Sequence, residues 1–233
     1  MTGILFDLDG TLLDTLDDLH DGVNYALETL GYPLRNREEV RLFVGNGARR
    51  LMELAVPKGA DVEEAFRVFK TYYDAHCRIK TKPYDGILEV LEALKGKYPM
   101  AIVSNKPDSA VKSLCADYFP GIYALGEAPD CPRKPAPDMV YKAMSQIGVD
   151  SCIYVGDSEV DVLTAKNANV PCLSVLWGFR NREDMDNTFF CEEVSALADM
   201  LEEMTDHRFL VRGVAIWYVK YVGRGLAPAD QDG

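Results

Sequence analysis

The sequence predicts an α/β protein: an open parallel sheet interrupted by an inserted α-helical segment. Three observations carry that expectation. Five short apolar runs lack the strict alternation of half-exposed strands, as expected for strands covered on both faces. Helical stripes separate the later runs, which favours parallel strands joined by helical crossovers. The gap between the first and second runs is too long for one crossover and reads as helix after helix. A length of 233 residues suits one large domain with a smaller one, at about 150 residues per domain.

The first strand is Ile4-Leu5-Phe6, ending at the polar Asp7. The insertion follows as helices over Leu16 to Leu30, Ala48 to Leu54 and Val62 to Lys80, broken by Pro33 and by Pro57-Lys58-Gly59. Ile87, Val90, Leu91 and Leu94 make the next apolar stripe, before a strand at Met100 to Val103. Val111, Leu114 and Cys115 mark a helix before the strand Ile122 to Leu125. Met139, Val140, Ala143, Met144 and Ile147 mark another before Cys152 to Val155. Val160, Val162, Leu163 and Ala165 mark a fourth before Cys172 to Leu176. The expected division is a core of residues 1–14 and 82–206, a helical insertion at 15–81, and an extension at 207–233. The extension carries four Lys or Arg against two Asp, and Leu210 to Val222 is rich in Val, Ile, Trp and Tyr. It reads equally as an edge strand, as an interface that would turn a monomer into a homodimer, or as an unusual terminus.

Lys and Arg total 25 against 37 Asp and Glu, a formal charge of −12. Nucleic acid and membrane surfaces are poor partners for so acidic a chain. A small anionic substrate needs a local positive charge. The six cysteines form no C-x-x-C pair, against a zinc ribbon or a disulfide scaffold. The first ten residues carry two Asp and no basic residue, unlike a secretory signal, and no apolar run reaches membrane-spanning length. A reduced, cytoplasmic protein is the expectation.

Four clusters carry candidate chemistry. Asp7-Leu8-Asp9-Gly10-Thr11-Leu12-Leu13-Asp14-Thr15 follows the first strand. Carboxylates two positions apart on a strand project to one side, about 7 Å apart, and repel unless a cation or a proton intervenes. A turn at Asp9-Gly10 with a Thr11-x-x-Asp14 capping box explains the same residues. Gly156-Asp157-Ser158-Glu159-Val160-Asp161 ends the fourth strand, where Asp157 and Asp161 suit Mg²⁺ and Ser158-x-x-Asp161 also suits a helix cap. Ser104-Asn105-Lys106-Pro107 offers a hydroxyl, an amide and a helix start to a phosphate, or a plain N-cap. Arg133-Lys134-Pro135-Ala136-Pro137-Asp138 offers a fixed ammonium, or a solvated loop lysine. In a parallel sheet all four lie along one edge. Two acidic clusters would hold a divalent cation, and the hydroxyl, amides and lysine a phosphoryl group.

D-x-D-G-T-L-x-D-T, S-N-K, K-P-x-P-D and G-D-S-x-x-D, in that order over roughly residues 3 to 180, resemble the haloacid dehalogenase superfamily of phosphohydrolases. The resemblance implies a Rossmann-like core with a helical cap after the first strand, a Mg²⁺ cofactor and an aspartyl-phosphate intermediate. It implies Asp7 as nucleophile, and Asp9 as general acid and then base, with the Asp9 backbone carbonyl on the metal. Ser104, Lys134 and the Asn105 amide would hold the phosphoryl group, Thr11 would help bind substrate, and Asp157 and Asp161 would complete the metal site. The dehalogenase branch lacks an acid at the position of Asp9, so C–halogen cleavage is not expected.

Val44-Gly45-Asn46-Gly47-Ala48-Arg49-Arg50-Leu51 is similar to the cap motif of the phosphoglycolate phosphatase branch, which makes Gly45, Asn46, Gly47 and Arg49 candidate substrate contacts. An ordinary interhelical turn with solvated arginines is the alternative. Trp177-Gly178-Phe179-Arg180 also occurs in that branch, with no role assigned to Arg180. The resemblance implies a phosphomonoesterase acting on a small phosphorylated metabolite, 2-phosphoglycolate first. A β-phosphoglucomutase-like phosphomutase, a pyrophosphatase and a non-catalytic phospholigand-binding module remain rivals. The last should have lost Asp7 or Asp9, and both are present.

Overall fold

The computed structural model describes residues 1–206; the expected extension at 207–233, with its edge-strand and interface readings, lies outside the described residues. Strand β1 (Thr2–Phe6) is followed by a short strand, β2 (Leu13–Asp14). Four helices come next: α1 (Leu16–Thr29), α2 (Arg37–Phe43), α3 (Ala48–Ala55) and α4 (Val62–His76). The chain returns through β3 (Lys82–Pro83), antiparallel to β2, with Leu13 opposite Pro83 and Asp14 opposite Lys82. The alternating part is α5 (Ile87–Leu94), β4 (Met100–Pro107), α6 (Asp108–Tyr118), β5 (Tyr123–Glu127), α7 (Asp138–Ile147), β6 (Ser151–Gly156), α8 (Glu159–Ala168) and β7 (Cys172–Val175). An edge strand, β8 (Phe190–Cys191), and a helix, α9 (Leu197–Thr205), complete it.

The sheet has the order β5-β4-β1-β6-β7-β8, parallel throughout. Counted along the sheet alone, this is the doubly wound order 3-2-1-4-5-6, the Rossmann-like arrangement expected. Alternate residues of β1 feed two cores: Ile4 and Phe6 pack on one face, Leu5 on the other, all fully buried. That explains why the strand reads as a continuous apolar run. The order reverses between β1 and β6, so a crevice opens at their carboxyl ends, where Asp7 and Asp157 begin the loops.

One helix and several boundaries differ from expectation. Helix α2 has no strong apolar stripe (Arg-Glu-Glu-Val-Arg-Leu-Phe) and starts instead on a capping box between Asn36 and Glu39. Helix α4 stops at His76, not Lys80, because the buried Asp18 carboxylate of α1 accepts the Lys80 and Thr81 amides at 2.8–3.0 Å and turns the chain back. Strand β4 continues past Ser104 to Pro107, with a register shift against β5 between Val103 and Pro107. β8 and α9 were not expected. All six cysteines are buried thiols, as their scatter suggested. No helix among the described residues is long and apolar enough to cross a membrane.

Candidate active site

Asp7 leaves β1 with its amide still bonded to Val155 O of β6 (2.8 Å), which anchors it at the crevice. The chain then folds back on itself, with the Gly10 amide on Leu13 O and the Leu12 and Leu13 amides on Leu8 O. Gly10 has φ +86°, and a Cβ there would lie 2.3 Å from Asp157 Oδ2, so only glycine permits both the turn and the approach. Gly156 permits a comparable close approach by Asp161: a Cβ there would lie 2.3 Å from the Asp161 Cβ.

Carboxylate oxygens of Asp7, Asp157 and Asp161, all buried, lie within 4.8 Å of one another. Lys134 Nζ sits 2.8 Å from both Asp7 Oδ1 and Asp161 Oδ1. One ammonium therefore pairs with two of the three carboxylates. Burial pushes the Asp7 carboxyl well above the usual carboxylate range, Asp161 adds to this, Lys134 opposes it, and Asp157 adds a little more. Burial, followed by Asp161, raises Asp157 to about 7 against the hydrogen bonds it accepts from the Phe179 amide and Thr11 hydroxyl. Burial works against the Lys134 charge, but Asp161 and Asp7 outweigh it and hold the ammonium well above the lysine range. Two observations fit a hard divalent cation. Asp157 uses one hydrogen bond per oxygen, from Thr11 Oγ1 (3.1 Å) and Phe179 N (2.7 Å), so lone pairs remain. Asp7 Oδ1 receives no well-directed hydrogen bond despite its nearby ammonium.

Asp161 also fulfils the competing expectation. Its Oδ2 accepts from Ser158 N (3.1 Å) and Ser158 Oγ (2.6 Å), a capping box at the start of α8, while Oδ1 accepts from Lys134. The cap and the acidic trio share one carboxylate. Asp9 stands apart from the acidic trio: both its oxygens pair with Lys106 Nζ, at 2.9 and 3.1 Å. Ser104 Oγ accepts from Lys106 N (3.2 Å), which leaves its own O–H to donate toward the crevice.

Four of the expected substrate contacts are engaged with protein groups or lie off the crevice in this structure, although Asn105 lines it. The Asn105 amide is committed to protein: it donates to Lys134 O (3.0 Å) and Gly45 O (3.2 Å) and accepts from Lys134 N (2.8 Å). It fixes the backbone that carries Lys134. Thr11 is fully buried and orients Asp157. Arg49 turns to the half-exposed Glu63 on α4 (2.8 Å), outside the crevice. Asn46 does not line the crevice either, whereas its neighbours Gly45 and Gly47 do.

The crevice is roofed by the helical insertion: Gly45, Gly47, Ala48 and Leu51 around α3, and Phe69 and Tyr73 from α4, cover Asp7, Asp9 and Lys134. The crevice leaves about 50 Å³ of free space beside these residues and stays partly open to solvent. Arg180 locks the roof on. Its guanidinium donates to Arg41 O (3.0 Å), Leu42 O (3.2 Å) and Val44 O (2.7 Å), the free carbonyls at the end of α2, and to Glu159 (2.9 Å). Arg41 returns a hydrogen bond to Phe179 O, and the Phe179 amide holds Asp157. Sequence reasoning left Lys106, Tyr73 and Arg41 without roles. Only Lys106, in the Ser104-Asn105-Lys106 triplet at a strand end, carried a local signal.

Residues 4–175 match the family described as haloacid dehalogenase-like hydrolases. A phosphoglycolate phosphatase of Colwellia psychrerythraea is 31% identical over 198 residues, 78% of this chain and 88% of its own. One of Aquifex aeolicus is 32% identical over 218 residues, 89% and 98% of the two chains. A crystal structure from Lactobacillus delbrueckii subsp. bulgaricus, of a protein assigned the same activity, superposes with a TM-score of 0.80. It is 35% identical and covers 86% of this chain and 98% of its own. With the carboxylate trio, the paired lysine and the helical roof in place, the chain belongs to the haloacid dehalogenase-like hydrolases.

Proposed function

We propose that this hydrolase is a Mg²⁺-dependent phosphatase that removes phosphate from a small metabolite, 2-phosphoglycolate first, through a covalent phosphate on Asp7. The observation that carries this reading is a buried carboxylate, Asp7, 2.8 Å from a buried ammonium and within 4.8 Å of two further carboxylates. Such a group is poised for a dianionic partner only if its charge is screened. Asp7, Asp157 and the Asp9 backbone carbonyl would hold the cation, with Asp161 in support. When bound, Mg²⁺ screens the repulsion between carboxylate and phosphate.

The chain's own groups then have distinct tasks. An Asp7 oxygen attacks phosphorus as the bond to the leaving oxygen breaks, and Asp9, once one of its oxygens has left Lys106 and taken a proton, gives that proton to the leaving oxygen. Lys134 and Ser104 donate to the phosphoryl oxygens throughout. Asp9, now ionised, takes a proton from the water that attacks the phosphorus of aspartyl-phosphate. Inorganic phosphate leaves and Asp7 is restored. The roof excludes other water during the first step. The test is phosphate release from 2-phosphoglycolate, sugar phosphates, nucleotides and pyrophosphate. Selective release that needs Mg²⁺ and stops with a chelator is expected, and no release from any member defeats the reading.

The roof latch makes a separate prediction. Arg180→Leu removes the donors to three carbonyls at the end of α2. A drop of about 10- to 100-fold in kcat/KM is expected, mostly as a higher KM, because charged hydrogen bonds of this kind contribute about 1.5–3 kcal/mol each when intact. Steady-state kinetics would check it.

A further inference from the structure

A second hollow shares no residue with the active crevice. Leu88 and Leu91 of α5, Tyr98 and Met100 at the start of β4, and Phe119 and Ile122 between α6 and β5 line it. It leaves about 420 Å³ of free space, within the range of about 300–1,000 Å³ that ligand pockets occupy. Leu88 stands in it half exposed. The polar groups around the groove are already matched. Lys95 Nζ donates to Glu92 (3.1 Å), the Tyr118 hydroxyl donates to Thr81 O (2.8 Å), and the Tyr98 hydroxyl pairs with that of Thr205 (2.8 Å). A site for a small polar molecule needs a few polar groups aimed inward. This groove offers apolar surface instead, which suits a stretch of apolar chain.

The chain supplies such a stretch at the groove's own rim. Helix α9 packs on α5, and its last turn is tied down there: Thr205 bonds to Tyr98, and Lys97 donates to Glu202 (2.7 Å). The described residues stop one position later, at Asp206, and 27 more follow in the sequence. Ten of the thirteen residues from Leu210 to Val222 are aliphatic or aromatic, enough to fill a groove of this kind. Residues 207–229 also carry Arg208, Arg212, Lys220 and Arg224 and no acid, whereas α5 and α9 beside the groove carry Glu89, Glu92, Asp199 and Glu202. Five extended residues reach about 17 Å, so the apolar stretch begins within reach. Tethered this closely, it meets its own groove at an effective concentration on the order of millimolar, which favours the same chain over a second copy.

We propose that residues 209–222 dock in this groove of their own chain, covering α5, the start of β4 and the loop before β5. Leu88 is then buried against the segment, and the basic residues that flank the apolar stretch face the acids of α5 and α9. The groove has a resident occupant and is no site for a metabolite.

The test uses the full chain. With Leu88 replaced by the photoreactive benzoylphenylalanine, irradiation should link position 88 to a peptide from residues 209–222, and the product should remain a single chain at every protein concentration. Trypsin gives the second readout, because cutting of a docked segment follows the fraction of time that it is open. Arg212 and Lys220 should be cut about 10-fold faster in Leu88→Glu than in native protein, and as fast in Trp217→Glu, which leaves the groove itself untouched. Circular dichroism of both variants should match the native chain, and denatured chains should all be cut alike. A link to a second chain that grows with concentration gives the groove to a neighbouring copy and overturns the proposal. A link to no peptide within 209–222, or equal cutting of native and variant chains, overturns it as well.

Discussion

Asp7→Asn is expected to reduce phosphate release by at least about 10⁴-fold, since removing the nucleophile of a covalent mechanism costs nearly the whole rate enhancement. The same variant should be more stable than the native chain when both are metal-free. Asp7 is buried beside Asp161 and Asp157, and its carboxyl is held well above its unfolded value. A group raised in this way supports the fold fully below its unfolded pKa, about 4, and that support is lost as pH rises toward the folded value. Asp157, raised to about 7, adds to the same decline. Metal-free native protein should therefore lose stability from about pH 4 through pH 7. Asparagine keeps the shape without the charge, so the advantage of the variant should appear above about pH 4 and widen toward neutrality. Thermal melts of both proteins in chelator at pH 4, 5.5 and 7, beside the phosphate assay, read both effects. Equal melting temperatures at every pH would show that Asp7 carries no such burden.

The second large effect has the opposite sign. Lys134→Met leaves Asp7 and Asp161 buried without their ammonium. Removing one partner of a buried ion pair costs about 3–5 kcal/mol, because the remaining charge is uncompensated. For a chain of this size that is about 10 °C in melting temperature. The loss should be smaller near pH 4, where the orphaned carboxyls can take protons, and larger at pH 7. Activity should fall about 10²- to 10³-fold through loss of a donor to the phosphoryl group. Denaturant melts with kinetics at matched pH would check both. A variant as stable as the native chain at pH 7 would mean that the two carboxylates find other compensation.

The contrast between these residues and the roof shows what a sequence can reveal. Asp7, Ser104, Lys134 and Asp157 lie at or just beyond strands of one parallel sheet. Reading the strands was enough to place them on one edge, because the sheet converts distant positions into neighbours by a fixed rule. The roof obeys no such rule. Arg180 meets carbonyls at 41, 42 and 44, and Lys106 meets Tyr73, through helix packing that leaves no period in the sequence. Arg49 and Asn46 belong to a motif of which Val44, Gly45, Gly47, Ala48 and Leu51 line the crevice while these two do not. Thr11 and Asn105 were expected on substrate from the resemblance, and here the Thr11 hydroxyl meets Asp157 and the Asn105 side chain meets Lys134 and Gly45. Helix α2 escaped notice because its caps and charges outweigh its apolar content, and α9 because nothing after β7 demanded another layer.

The two-residue ladder of β2 and β3 has a further consequence. It holds Asp14 opposite Lys82, so the chain leaves the core and comes back at the same point after almost seventy positions. To the sheet, that excursion is no longer than a hairpin, and closing it costs little more entropy than a short turn would. The roof is therefore a removable part: it can be lengthened, rebuilt or replaced by a different assembly without rethreading a single strand. The strand ends that carry Asp7 and Asp157 stay where they are whatever the excursion between Asp14 and Lys82 becomes.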